Sequence, residues 1–229
     1  MGECMKSENL KKIVLTATFA AIAFLFTFIF KFKVGFLTFD FKDTIISVIS
    51  LVLGPLYGLT AVALVTFLEF VSISDTGPYG LIMNFISSGA FALLIGGIYK
   101  YRRTFTGAIL ASVVSVLGVT AVMMCANLLI TPYYMGVSRS EVSAMIPTLL
   151  LPFNLAKTTV NAAATLLIYK PVTTALRRVG LVAKKENNVK MFNKKSVILY
   201  IVSAVVIILA VLFIIFVLNG GFEIVSKSA

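Results

Sequence analysis

The sequence predicts an all-α integral membrane protein, with a core of six transmembrane helices and one additional transmembrane helix at the C-terminus. Three observations carry that prediction. Hydrophobic residues make up 59% of the 229 residues. Charged residues make up only 13%, against about 25% in an ordinary soluble domain. The apolar residues are also gathered into runs, and a bilayer crossing needs about 20 such residues in a row.

The elements follow in order. The run 12–30 is long enough to cross and lacks an A-x-A-like exit, so it reads as a retained helix rather than a cleaved signal. Within it, Ala17 and Ala21, with Ala20 beside them, form a small-xxx-small step that allows another helix to approach closely. Segments 43–53 and 56–73 flank Gly54-Pro55. The residue before a proline is disfavoured in helix, so a tight turn is expected there, joining a short helix to a longer one. Segments 79–99 and 106–131 supply two more spans. The sixth segment, 143–176, contains Pro147 and Pro152, which confine its regular helix to about residue 152 onwards. The seventh, 196–218, is nearly pure Val, Ile, Leu, Ala and Phe, with Tyr200 and Ser203 as interior polar groups. Its faces suit lipid, as an appended anchor or a partner contact. Three units result: a membrane binding domain at 1–181, a basic linker at 182–195, and a helix with a short tail at 196–229.

Orientation follows from lysine and arginine, which accumulate in cytoplasmic loops. Lys6, Lys11 and Lys12 precede the first helix, and Lys100, Arg102 and Arg103 follow the fourth. Lys170, Arg177, Arg178, Lys184, Lys185, Lys190, Lys194 and Lys195 follow or end the sixth. If six helices alternate, all three groups fall on one side. The N-terminus is therefore expected in the cytoplasm, with the loops after helices 1, 3 and 5 outside. Topology accounts for the net charge of +11 without nucleic acid.

The strongest functional signal is a lysine and two asparagines inside the sixth span. Asn154, Lys157 and Asn161 fall at i, i+3 and i+7, one helix face, widened by Thr158 and Thr165. A charge at the bilayer centre costs about 2.5–3.5 kcal/mol on insertion scales, so such residues usually face a cavity. The plainer reading is a snorkelling lysine with helix–helix hydrogen bonds. One cation and several amides suit a neutral or weakly acidic, hydrogen-bond-rich small molecule. Asn127, near the outer end of helix 5, can both donate and accept. After it, Tyr133 and Tyr134 are either ligand contacts or part of an interfacial aromatic belt. Asn84, with Ser87 and Ser88, marks a face of helix 4 that either touches ligand or bonds a neighbouring helix. The first outer loop alternates aromatic and polar residues, including Phe36, Phe39 and Phe41. It reads as a lid over a planar ligand, or as an interfacial re-entrant loop or short strand. Asp40 and Asp43 are expected to cap helix 2 or to pair with Lys42 and Lys33.

Several classes are disfavoured. Histidine is absent, and Cys4 and Cys125 are too few for a disulfide framework or metal site. A G-x-x-x-x-G-K-[ST] loop is missing, so ATP is not spent through that motif. Glu69 is the one acid inside an apolar run, near its outer end, which argues against ion-coupled carriers. No catalytic residues, cofactor or metal are expected. A membrane-embedded enzyme acting on lipid-linked substrates and an accessory membrane protein stand as weaker alternatives.

Five features together carry a resemblance. They are the Ala17/Ala21 step, Phe36-Leu37-Thr38-Phe39-Asp40-Phe41-Lys42-Asp43, and Leu53-Gly54-Pro55-Leu56-Tyr57-Gly58. The fourth is the asparagine ahead of the Pro132-Tyr133 pair, and the fifth is Pro152-Phe153-Asn154-Leu155-Ala156-Lys157. Over residues 8–180 the chain resembles the riboflavin-specific S components of energy-coupling factor (ECF) vitamin transporters. The resemblance implies a bacterial cell-membrane subunit whose Asn127, Asn154 and Lys157 hydrogen-bond riboflavin, with the first outer loop closing over it. It implies that Ala17, Ala20 and Ala21 meet a transmembrane coupling subunit working with two ATP-binding subunits. Another vitamin on the same scaffold is the nearest alternative. Folate, with two carboxylates, would call for more cations than Lys157 alone. The seventh helix is a departure from the six-helix family.

Overall fold

The structure is a computed structural model and describes residues 2–74, 76–182 and 194–213. It begins with α1 (Gly2–Ile29), followed by a two-stranded antiparallel hairpin, β1 (Phe32–Val34) and β2 (Leu37–Phe39). The register pairs Phe32 with Phe39, Lys33 with Thr38 and Val34 with Leu37. Gly35 turns the hairpin at φ +60°, a conformation that costs glycine nothing. The loop after α1 thus contains a short strand pair, as one of the readings of its alternating pattern had it.

Next come α2 (Lys42–Leu53), α3 (Pro55–Ser72), α4 (Gly77–Tyr101) and α5 (Phe105–Met135). Gly54 at φ +112° makes the expected turn, and Pro55 opens α3 where no intrahelical N–H is needed. α2 is about 18 Å long at 1.5 Å per residue, too short to cross a bilayer. It occupies the centre of the bundle instead, packed against α1, α3, α4 and α7 (Leu151–Arg178), and Lys42 through Leu51 are all buried.

The sixth predicted segment, 143–176, spans three pieces, of which α7 is the regular helix expected from about residue 152. α6 (Arg139–Met145) starts from a Ser138/Glu141 capping box, a single π turn spans Ile146–Leu150, and α7 then runs to Arg178. α7 starts close to the expected boundary, but the chain upstream stays helical. Pro147 lies at the start of the π turn and Pro152 in the first turn of α7, so neither breaks the run. α5 likewise continues through Pro132 to Met135, beyond the expected end at 131. The seventh predicted helix is α8 (Lys194–Phe213), which packs on α7. The linker 182–195 and the tail beyond 213 fall almost wholly outside the described residues.

Among the described residues, four stretches are long and apolar enough to cross a membrane: Glu8–Ile29, Pro55–Ser72, Gly77–Tyr101 and Thr106–Met135. α7 has the length but turns its polar residues inward, with Asn154, Lys157, Thr158, Asn161 and Thr165 all buried. Lipid offers no hydrophobic drive between helices, so close approach and polar contacts must hold the bundle. Ser50 on α2 donates to the Ala92 carbonyl of α4 at 2.6 Å. Gly96 and Gly58 permit that approach, since a Cβ on Gly96 would collide with the Ser50 hydroxyl and one on Gly58 would lie 2.7 Å from Ser50 Cβ.

Candidate ligand-binding site

The site is built around the first turns of α7. Asn154 and Lys157 are 4% and 6% exposed. Asn154 Nδ2 donates to the Leu150 carbonyl at 2.7 Å, which fixes its rotamer against the π turn. On α5, Asn127 Nδ2 donates to the Met123 carbonyl at 2.7 Å and its Oδ1 accepts from Thr131 at 2.9 Å. Each asparagine is therefore anchored to its own helix, and each retains an amide hydrogen and acceptor capacity.

These groups border a cavity of about 700 Å³ of empty space, counted through its open mouth. The hairpin forms one wall through Phe36, Leu37 and Thr38. α4 contributes Tyr79, Gly80, Met83, Asn84 and Ser87, and α5 contributes Met123, Asn127, Ile130, Thr131 and Tyr134. Phe153, Asn154 and Lys157 of α7 complete it, with Thr76 ahead of α4. Apolar and aromatic walls with a few convergent polar groups are the usual makeup of a small-molecule site.

A chain of buried charges runs behind this cavity. Lys157 Nζ donates to the Thr38 carbonyl at 2.9 Å and to Asp40 Oδ2 at 3.0 Å. Asp40 Oδ2 also lies 3.6 Å from Lys42 Nζ. Lys42 Nζ donates to both oxygens of Glu69, at 2.9 and 2.7 Å. Glu69 Oε2 in turn accepts from Asn84 Nδ2 at 3.1 Å. Charges buried in this way are tolerated because each has a partner. A second cavity lies on the α1–α3 side of the hairpin, lined by Lys31, Lys33, Asp40, Lys42 and Glu69, and shares Phe36, Thr38, Thr76, Asn84 and Tyr134 with the first.

The family model described as ECF transporter, substrate-specific component matches residues 11–169. The chain belongs to this family. The family is a transporter component and not an enzyme. A riboflavin transporter RibU from Staphylococcus aureus is 29% identical over 185 residues, 76% of this chain and 97% of that one. A riboflavin transporter FmnP from Bacillus subtilis is 27% identical over 161 residues, 65% of this chain and 85% of that one. A solved S component of a bacterial ECF transporter superimposes with a TM-score of 0.64 at 27% identity, covering 74% of this chain and 99% of that one.

In this S component the expected residues divide. Asn84, Asn127, Asn154 and Lys157 line one cavity although they come from three helices. Tyr133 does not join them: it is 68% exposed, and Tyr134 takes the place on the wall. Consecutive helical residues point about 100° apart, so only one of the pair could face inward. Phe39 is fully buried behind the wall, in a cluster with Val34, Phe153, Ala156 and Val160, while Phe36 reaches the cavity. Asn161 shares the α7 face but serves the fold. Its Oδ1 accepts from Thr44 N and Oγ1 at 3.0 and 2.7 Å, and its Nδ2 donates to the Asp40 carbonyl at 3.0 Å.

Asp40 meets one of its two expectations, pairing with Lys42 rather than capping α2. The N-cap position of α2 is Phe41, with no side-chain cap, and Asp40 pairs with Lys157 as well as Lys42. Of the α1 alanines, Ala17 and Ala21 are exposed, whereas Ala20 is 2% exposed and packs in the protein's own core. Met83, Met123, Ile130 and Gly80 line the cavity without any sequence signal, because apolar residues are everywhere in such a chain.

Proposed function

We propose that this S component binds riboflavin and hands it to ATP-driven partners for uptake across a bacterial cell membrane. The observation that carries this reading is the cavity: two anchored asparagines and one lysine set into a wall of aromatic, Met and Ile side chains. A flat tricyclic ring system suits such walls, and its uracil-like edge alternates donors and acceptors that match amides and an ammonium. Asn127, Asn154 and Lys157 are the proposed polar contacts, with Asn84 at the margin and the hairpin as the closing wall. Phe39 supports that wall from behind. The names of the Staphylococcus aureus and Bacillus subtilis relatives support the same ligand.

The remaining assignments belong to the same proposal. The chain carries no phosphate-binding loop, so energy comes from a transmembrane coupling subunit and two ATP-binding subunits. The exposed Ala17 and Ala21 offer α1 a smooth face for the coupling subunit. The core crosses the membrane with its N-terminus in the cytoplasm and its cavity outside. α8 is an additional span.

Titration of the detergent-purified protein with riboflavin, followed by quenching of flavin fluorescence, tests the reading. Saturable one-to-one quenching at nanomolar concentrations is expected. Folded protein that leaves the fluorescence untouched would overturn the flavin assignment.

A further inference from the structure

Lys157 is not a free cation waiting for an anion. Its ammonium sits 3.0 Å from Asp40 Oδ2, and both side chains are almost wholly buried. With Thr38 accepting a second hydrogen at 2.9 Å, two of the three N–H groups are committed to the protein. One remains for the cavity. Asp40 is itself held from several sides: Lys42 N donates to Oδ1 at 3.3 Å, and Asn161 Nδ2 donates to the Asp40 carbonyl at 3.0 Å. Lys42 is chelated by Glu69 at 2.7 and 2.9 Å, so Glu69 already claims the other neighbouring cation. Asp43, three residues on, adds another buried carboxylate to this side.

We propose that Asp40 is a specificity-determining residue: as the fixed counter-ion of Lys157, it makes this corner of the cavity select an uncharged, carbonyl-bearing edge and reject an anionic one. The inference rests on the riboflavin reading above and deepens it. An arriving carboxylate must shed its water and then meet a lysine whose charge is already matched, with the Asp40 carboxylate directly behind. A neutral carbonyl needs only the single directed N–H that Lys157 has left. Asp40 thus acts through Lys157 and need not touch the ligand.

Two measurements test this. The first is a double-mutant cycle on riboflavin affinity with Asp40→Asn and Lys157→Met. Asp40→Asn alone is expected to weaken riboflavin about tenfold, within the range of a lost charge-assisted bond. In the Lys157→Met background it is expected to cause no further loss. A similar loss in both backgrounds would mean that Asp40 merely supports the fold, and would overturn the proposal. The second compares N3-carboxymethylriboflavin with its neutral isostere N3-carboxamidomethylriboflavin, which share bulk and differ in charge. The ratio of their affinities is expected to shift at least tenfold toward the anion in Asp40→Asn, and an unchanged ratio would also overturn the proposal. If Asp40→Asn fails to fold, the double variant, which removes both charges together, is expected to fold and bind as Lys157→Met does. A double variant that fails as well would count against the proposal. Absence of riboflavin binding by the unmodified protein would instead bring down the flavin reading itself, and this inference with it.

Discussion

Lys157 and Lys42 are both buried lysines paired with carboxylates, yet their surroundings give them different roles. Lys157 borders the cavity and, in the proposed site, offers its remaining donor to a ligand carbonyl, a bond to a charged group worth about 1.5–3 kcal/mol. Lys157→Ala is accordingly expected to lower riboflavin affinity at least tenfold, since 1.4 kcal/mol corresponds to a factor of ten; fluorescence titration reads it directly. Lys42, 1% exposed, joins Asp40 to Glu69. Removing one partner of a buried pair typically costs about 3–5 kcal/mol, so Lys42→Met is expected to cut the stability of the folded protein by that order. Thermal unfolding in detergent measures it, and Glu69→Gln in the same chain should recover part of the loss. The amide–lysine pattern on α7 was legible because polar residues inside an apolar span are few. Its division of labour was not: Asn154 and Asn161 are identical in sequence terms, and only the approach of Thr44 at 2.7 Å assigns Asn161 to the fold.

The elements around the cavity show how local chemistry sets the position of these side chains. The π turn Ile146–Leu150 immediately precedes Phe153, Asn154 and Lys157, and it presents the Leu150 carbonyl that anchors Asn154. Such turns recur at functional sites. The hairpin is held to α7 by the Thr38 and Asp40 contacts of Lys157, so one residue both fixes the hairpin and borders the cavity. The Gly54-Pro55 turn and the short α2 were readable from the turn residues and the length of the apolar run. The start of α7 near Pro152 was readable too, but the helical run upstream of it was not, because proline marks a boundary in sequence while in space it occupies turns that tolerate it. α8 contributes Ile207, Ala210 and Val211 to the cluster behind the cavity, but no α8 residue appears in the cavity wall. Deletion of 196–229 is therefore expected to leave riboflavin affinity unchanged while lowering the thermal midpoint of the protein. Loss of affinity in a truncation that remains folded would contradict this.

On the scale of the whole molecule, the fold separates a binding end from a basic end. The hairpin, the start of α4, the end of α5 and the start of α7 meet at the cavity, whereas Lys100, Arg102, Arg103, Arg177 and Arg178 lie at the opposite helix ends and Lys11 and Lys12 in the N-terminal half of α1. Our proposed orientation, with the cavity outside, follows from applying the positive-inside rule to this arrangement. In a Cys4→Ser, Cys125→Ser background, Lys11→Cys is expected to react with an impermeant maleimide only after the cells are opened, and Ser138→Cys in intact cells. The reverse pattern would invert the orientation. The sequence by itself determined the membrane class, the approximate spans, the side on which positive charge gathers and the polar residues of α7, because each of these follows from composition and spacing along the chain. Only the tertiary structure decided that Tyr134 rather than Tyr133 faces the cavity, that Ala20 is spent in the core, and that Asp40 belongs to Lys157. Those outcomes depend on which faces of different helices meet, and residues 117 positions apart in the chain leave no local pattern to announce that they touch.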